Sequence, residues 1–463
     1  MSKKKKIKPT EKKSEKFFNT LNAVILTGCI VIISAGMIFL ERPTISETEN
    51  RTLATMPEWS FDNYFNGTFT GGISEYYNDT VPLRSNFKKM NTKLTALFGI
   101  ESDGVTFHGN VSMVNKNNDE PIVTEITKPA VTEPAFTEMT ETAETQGTGA
   151  VTGETPDDPD YDEYWDENDI DNGKVSNGII IYKNRGIMLY GSYDSTLDSY
   201  VAAVNAYKQE LGENVNVYSM VIPTSASYYL PEKFKDYSED QFADLQYIRE
   251  RLEGVIDVDI TETLDNHKKE NIYLRTDHHW APLGAYYATQ KFAQVADVDF
   301  PELSTYEEVS QDGYIGTIYT FTQDASILDY PETFTYYKPD NQYTTTYYDS
   351  YYQNGYESTL FIDMPLSSLY VTFMGGDDKI THINTDVKNG RSICVLKDSY
   401  GNATIPFLTH SFENIYVIDI RYFNINAINF MKEHDITDVL FAVNAFTSAT
   451  PSMVAHIDEI RTQ

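Results

Sequence analysis

Ile393-Cys394-Val395-Leu396-Lys397-Asp398-Ser399-Tyr400-Gly401-Asn402 passes from four apolar residues into a polar turn headed by a serine. An apolar run this short, bounded by polar residues, reads as a strand covered on both faces, as the strands of parallel sheets are. The surrounding chain repeats the pattern. Strands are predicted at 178–182 and 186–190 as a hairpin, then at 215–222, 255–260, 392–396, 415–420 and 439–443. Amphipathic helices are predicted at 197–211, 242–252 and 284–295. Helices alternating with apolar strands predict an α/β fold in three layers with a mostly parallel sheet. Three of the strands end in polar residues: Asp398-Ser399, Arg421-Tyr422 and Asn444. Ligand sites in open parallel sheets form beyond the carboxyl ends of strands, so these ends are expected to line one crevice.

About 120 residues before the serine stands Thr276-Asp277-His278-His279-Trp280. A serine hydroxyl is a poor nucleophile until an imidazole takes its proton, and the imidazole needs a carboxylate to fix its tautomer and stabilise its charge. An Asp-x-His spacing on a turn lets one segment supply both. Ser399 is therefore expected as nucleophile, His279 as general base and Asp277 as the orienting carboxylate. The oxyanion hole is expected to use the Ser399 backbone N–H and the Asn444 side chain. Arg421 and Tyr422 are further substrate-binding candidates. Trp280 is either a wall of the site or a core residue, and His278 is expected to face away and pack. Adjacent histidines lack the helical spacing of a metal pair, so neither metal nor cofactor is expected.

The chain carries a net charge of −33, yet its first 16 residues hold eight lysines against two glutamates, so the remainder stands at −39. Such a surface repels nucleic acid and anionic membranes. Residues 17–40 contain no charged side chain and are long enough to span a bilayer. With the lysines on one side only, the positive-inside rule predicts a cytoplasmic tail at 1–16, an anchor at 17–40 and export of residues 41–463. A cleaved signal peptide is the rival reading. Leu26-Thr27-Gly28-Cys29 also resembles a lipoprotein box, although eleven apolar residues follow Cys29. Neither Cys29 nor Cys394 has an evident partner, and no disulfide is expected.

Residues 41–115 are expected as an N-terminal extracytoplasmic segment packing on the catalytic domain, with short helices in 61–97. Between Asp119 and Gly173 the chain has 17 acidic residues and one lysine, Lys128, with few aliphatics. That composition cannot offset ordering entropy, so 116–175 is expected to be a disordered acidic insertion. The catalytic domain then runs from 176 to 463. It is interrupted at 314–358 by a segment crowded with Tyr, Thr and Asp, either an irregular β-rich insertion that packs tyrosines or a sugar-stacking wall.

The Asp-His-His-Trp run, the Lys397 to Asn402 segment and Ile418-Asp419-Ile420-Arg421-Tyr422-Phe423 resemble the DHHW protein family. The stretch 46–57 and Ile222-Pro223-Thr224 also match. That family is similar to the AlgJ and AlgX alginate O-acetylation proteins, whose domains are SGNH hydrolase-like with the Asp-x-His block before the serine. The resemblance implies that Asp277, His279 and Ser399 form the triad, with Arg421-Tyr422 and Asn444 on the second and the asparagine blocks. Lys397 replaces the glycine of Gly-Asp-Ser, and the asparagine block is reduced to Val443-Asn444-Ala445. The activity implied is an anchored extracytoplasmic O-acetyltransferase, which receives acetyl groups from a membrane-bound O-acyltransferase partner and places them on a polysaccharide through an acetyl-serine. A carbohydrate acetylesterase and a non-catalytic glycan-binding scaffold are the alternatives.

Overall fold

The computed structural model describes residues 178–463 without interruption, together with 174–176 and scattered positions between 42 and 108. The basic tail, the expected anchor at 17–40, most of 41–115 and nearly all of the acidic insertion lie outside the described residues. Among the described residues no helix is long and apolar enough to cross a membrane. Contacts divide the chain into two units, 1–98 with 129–139 and 99–128 with 140–463. In the first, Ile45–Ser46 pairs antiparallel with Arg51–Thr52, and Arg42 Nη1 donates to Thr80 Oγ1 at 2.8 Å.

The second unit is built on an eight-stranded sheet. Its strands are β1 (Asn216–Ile222), β2 (Ile256–Asp257), β3 (Tyr343–Tyr348), β4 (Tyr356–Ser358), β5 (Ile380–Thr385), β6 (Ser392–Lys397), β7 (Asn414–Asp419) and β8 (Asp438–Asn444). They lie in the order β4-β3-β5-β7-β6-β8-β1-β2. The five strands from β7 to β2 are parallel, and β5, β3 and β4 extend the sheet antiparallel. The sheet is thus mixed rather than mostly parallel. The difference arises where β5 pairs antiparallel with β7 and the Thr-Tyr run of β3, strong in β propensity, adds to that edge with β4.

The parallel strands are apolar on both faces, and alternate residues serve opposite layers. Ile393, Val395, Ile415, Val417, Leu440 and Ala442 face one core. Cys394, Leu396, Tyr416, Ile418, Val439 and Phe441 face the other. Ile393 to Leu396 are fully buried, and each aliphatic side chain contributes roughly 1.5–3 kcal/mol of transfer free energy. The first face is covered by helix α3 (Pro282–Ala296) and the 3₁₀ segment Ser399–Leu408. The second is covered by α1 (Asp194–Leu211), α2 (Gln241–Arg249), α4 (Ala427–Glu433) and α5 (Pro451–Thr462). Three layers result, with the anticipated helices extended or trimmed by a few residues.

Two boundaries differ from expectation. The strand predicted at 255–260 stops at Asp257, because Asp259 Oδ1 accepts from Thr261 N–H at 3.0 Å and turns the chain into the helix Thr261–Asn266. The folded chain also resumes before the predicted end of the acidic insertion. Lys174–Ser176 pairs parallel with Phe107–His108 and antiparallel with Ile179–Tyr182, the first strand of the anticipated hairpin. Lys183 and Asn184 close that hairpin with positive φ, as a two-residue turn requires.

Candidate active site

The Asp277–His279 turn is held at its neck. Tyr273 and Trp280 form an antiparallel bridge, Ala281 N–H donates to Ile272 O at 2.9 Å, and Pro282 then starts α3. Within the turn Asp277 Oδ1 accepts from His279 N–H at 3.0 Å and meets His279 Nδ1 at 2.7 Å. On the far side of the ring His279 Nε2 lies 2.8 Å from Ser399 Oγ. Three residues predicted from two separate motifs therefore form one hydrogen-bonded chain. His279 is further fixed by Tyr370, stacked on it at 3.8 Å and 6°.

Ser399 opens the 3₁₀ segment at the carboxyl end of β6, and Asp398 caps it. Asp398 Oδ1 accepts from Tyr400 N–H, while Oδ2 accepts from Asn444 N–H and Thr447 Oγ1–H, both at 2.7 Å. Burial pushes the Asp398 carboxyl above the usual carboxylate range against these bonds. Gly401 lets the serine turn lie against β6 and β8: a Cβ there would stand 2.5 Å from Lys397 Cβ and 3.0 Å from Ala442 O.

The second Asp277 oxygen is held by residues that the sequence did not single out. Oδ2 accepts from Tyr314 Oη–H at 2.6 Å and from Thr317 N–H at 3.0 Å. Tyr314 ends one strand of the antiparallel ribbon Glu307–Tyr314/Glu332–Lys338, and its register partner is Glu332. Glu332 accepts from Thr276 N–H at 2.7 Å, from Thr276 Oγ1–H and from Arg275 N–H. Opposite residues of one ribbon thus grip consecutive residues of the turn. Burial alone would raise the Asp277 carboxyl, but the charge and hydrogen bond of His279, followed by His278 and the Tyr314 hydroxyl, outweigh it. The carboxyl sits well below its usual range. Burial and the Asp277 charge push the Tyr314 phenol up, so it remains a donor.

The other four candidates divide between the core, a helix cap and the rim of a cavity at the strand ends. Trp280 is fully buried and donates its indole N–H to Tyr400 O at 2.9 Å, so it is a core residue that props the serine turn rather than a wall. Asn444 caps the helix that follows: Oδ1 accepts from Thr447 N–H at 3.2 Å, and its backbone N–H donates to Asp398 Oδ2. Arg421 lies in a buried ion network, bonded to Asp419 and to Asp377 at 2.7 Å, and Lys397 Nζ joins both carboxylates at 2.8 and 2.9 Å. Tyr422, beside it, is 37 % exposed. His278, expected to face away, instead lies against the same cluster: its ring centre is 3.7 Å from that of His279, and its Nδ1 lies 3.5 Å from Asp277 Oδ1 and 2.5 Å from Thr317 Oγ1.

Asp277, His278 and His279 offer ligand atoms within 4.8 Å of one another. Both ring nitrogens of His279 and both oxygens of Asp277 already have protein partners. A cation there would have to displace one of these partners.

Five parallel strands of a mixed sheet, with a Ser–His–Asp chain at their carboxyl edge, define an α/β protein carrying a serine-nucleophile constellation. The chain belongs to the DHHW protein family, whose model matches residues 49–418. A crystallised DHHW family protein from Eubacterium siraeum is 42% identical, with alignment covering 62% of this chain and 97% of that one, at a TM-score of 0.60. PatB1 of Bacillus cereus, solved with a sulfonyl adduct, shares the fold at 20% identity and a TM-score of 0.51, over 60% of this chain and 97% of its own. The O-acetyltransferase domain of Pseudomonas putida AlgJ is 12% identical over 61% of this chain and 96% of that one, at a TM-score of 0.35. No curated protein matches the chain.

Proposed function

We propose that the protein is a serine-dependent O-acetyltransferase that modifies a cell-surface or secreted polysaccharide through an acetyl-Ser399 intermediate. The observation that carries this reading is the unbroken chain Ser399 Oγ, His279, Asp277, with distances of 2.8 and 2.7 Å. His279 Nε2 takes the Ser399 proton as Oγ attacks the acetyl carbonyl. The tetrahedral intermediate expels the donor's leaving group, which receives that proton. A sugar hydroxyl then gives its proton to His279 and attacks the acetyl-serine, and Ser399 leaves reprotonated. Asp277 keeps the imidazole in the tautomer that presents Nε2 to the serine. Tyr400 and Gly401 N–H groups bond to Asp398, which supports the Ser399 N–H as the first-turn donor to the oxyanion.

The uncharged stretch 17–40 behind eight lysines supports an anchor, with residues 41–463 outside the cytoplasm and a membrane-bound O-acyltransferase supplying acetyl groups at the bilayer face. The test is incubation of the full chain in detergent with p-nitrophenyl acetate, following nitrophenol release and intact mass. Wild type gains one acetyl group and turns over, and Ser399→Ala does neither. Equal behaviour of the two proteins would sink the reading. Water as the only acceptor would make the protein an acetylesterase.

A further inference from the structure

At the carboxyl edge of the sheet lies a cavity of about 510 Å³ whose lining includes Tyr348, Tyr356, Asp378, Lys379, Arg421 and Tyr422. Lys397 and Asp419 are register partners on β6 and β7, so Arg421 stands as far beyond its strand as Ser399 stands beyond its own. Adjacent strands are roughly 5 Å apart. Asp377 ties the two ends together: Oδ1 accepts from Asn402 Nδ2, three residues past the serine, and Oδ2 accepts from Arg421.

The aromatic walls are braced from behind. Tyr356, 49 % exposed, stacks on Tyr347 at 5.7 Å and 29°, and Tyr348 stacks on Tyr352 at 4.1 Å and 28°. The Arg421 guanidinium lies 5.3 Å from the Tyr422 ring centre. These rings need little ordering when a ligand arrives, which lowers the cost of binding.

The polar lining is balanced. Arg421 is neutralised by Asp419 and Asp377. The carboxylate of Asp349, also in the lining, accepts from Tyr351 N–H, Gln353 N–H and Asn354 Nδ2 of its own loop. Asp378 and Lys379 add one charge of each sign. Braced aromatic faces over polar groups that both donate and accept suit a ring with apolar C–H faces and hydroxyl edges, and the absence of excess charge disfavours an ionic ligand.

We infer that this cavity is an acceptor subsite for an uncharged pyranose segment, holding the glycan so that the next sugar presents a hydroxyl to acetyl-Ser399. The inference rests on the transferase reading and deepens it.

The test uses the full chain in detergent with p-nitrophenyl acetate as donor. The acceptors are neutral hexasaccharides of glucose, mannose and N-acetylglucosamine, with an anionic hexagalacturonate for contrast. Tyr356→Ala and Tyr422→Ala are each expected to lower the ratio of sugar acetylation to ester hydrolysis about tenfold, through the KM for sugar. Thermal unfolding of both variants, followed by circular dichroism, is expected to match wild type. A ratio within about twofold of wild type in both variants would overturn the subsite. So would acetylation of the anionic sugar alone, or no acetylation of any hexasaccharide while Ser399 still takes the acetyl group. Acetylation of Ser399→Ala at the wild-type rate would sink the transferase reading itself, and the subsite with it.

Discussion

Alanine at Gly316 would displace the Asp277 carboxylate while leaving Ser399, His279 and Asp277 themselves unsubstituted. A Cβ at this position would lie 2.2 Å from Asp277 Oδ2 and 2.4 Å from Asp277 Cβ. Gly316 itself is extended, at φ −88 and ψ −159, so alanine meets no backbone strain and the substitution acts through that contact. Real Cβ contacts essentially never fall under 3.0 Å, so the carboxylate and the 316–317 backbone must part by about 1 Å. A displacement of that size at a positioned group costs about 10²-fold in rate. The bonds from Tyr314 Oη and Thr317 N, now 2.6 and 3.0 Å, would stretch or break, and His279 would lose its fixed orientation. Overpacking of this kind costs about 1–3 kcal/mol, so the fold should survive. The assay is steady-state hydrolysis of p-nitrophenyl acetate by the full chain, with thermal unfolding measured in parallel. The expected result is kcat lower by about 100-fold with KM within about threefold of wild type. A folded Gly316→Ala protein with kcat within about threefold of wild type would refute the claim that the carboxylate's exact seat matters.

Tyr314→Phe removes one donor to Asp277 and keeps the ring. A lost hydrogen bond to a buried carboxylate is worth about 1.5–3 kcal/mol, so Ser399 acylation should slow by about tenfold or more in a single-turnover measurement, and an unchanged rate would contradict the role given to Tyr314. Lys397→Met leaves Asp377 and Asp419 with Arg421 as their remaining cation; breaking a buried pair from one side costs about 3–5 kcal/mol, which urea unfolding would register as a lower midpoint, and an unmoved midpoint would count against the network. His382 and His434 are both held below the ordinary imidazole range, His382 by burial and His434 by burial and the neighbouring His382. Above pH 7 both are neutral in the folded and unfolded chain alike. As pH falls through about 6.5 the unfolded chain takes up protons that the folded chain resists, and stability drops. Melting temperatures at pH 7.5 and 5.5 should therefore differ more in wild type than in His382→Phe, and an equal difference would exclude this contribution.

The parallel half of the sheet was legible because its signal is local: Ile393 to Leu396 or Val439 to Val443 show their burial on both faces in a handful of consecutive residues. The triad was legible for the same reason, since Asp277 and His279 share a turn and Ser399 follows a strand. The residues that hold the carboxylate were not. Tyr314, Thr317 and Glu332 act on partners 37 to 56 residues away, and no spacing rule joins them to the turn. Asn444 was read by its order along the chain, whereas an Asn followed three residues later by Thr447 at a helix start is also a capping signal. Trp280 shows that adjacency to candidate catalytic residues does not place a side chain in the crevice. The indole sits under the serine turn because its N–H finds a backbone carbonyl there.

Among the described residues the ribbon formed by Glu307–Tyr314 and Glu332–Lys338 joins no larger sheet, and it is held by the packing of Tyr314, Phe334, Tyr336 and Tyr337 into the core rather than by a ladder of neighbouring strands. It can therefore loosen while the eight-stranded sheet keeps its ladder. Amide protons of the ribbon should exchange through sub-global openings at lower free energy than those of β6 or β8. Every such opening withdraws Tyr314 and Glu332 from the turn together, because they face each other across the same pair of strands. Heat or mild denaturant should then abolish the proposed Ser399 acylation before circular dichroism registers any loss of structure. A mutational screen for retained fold would miss this class of inactive variant.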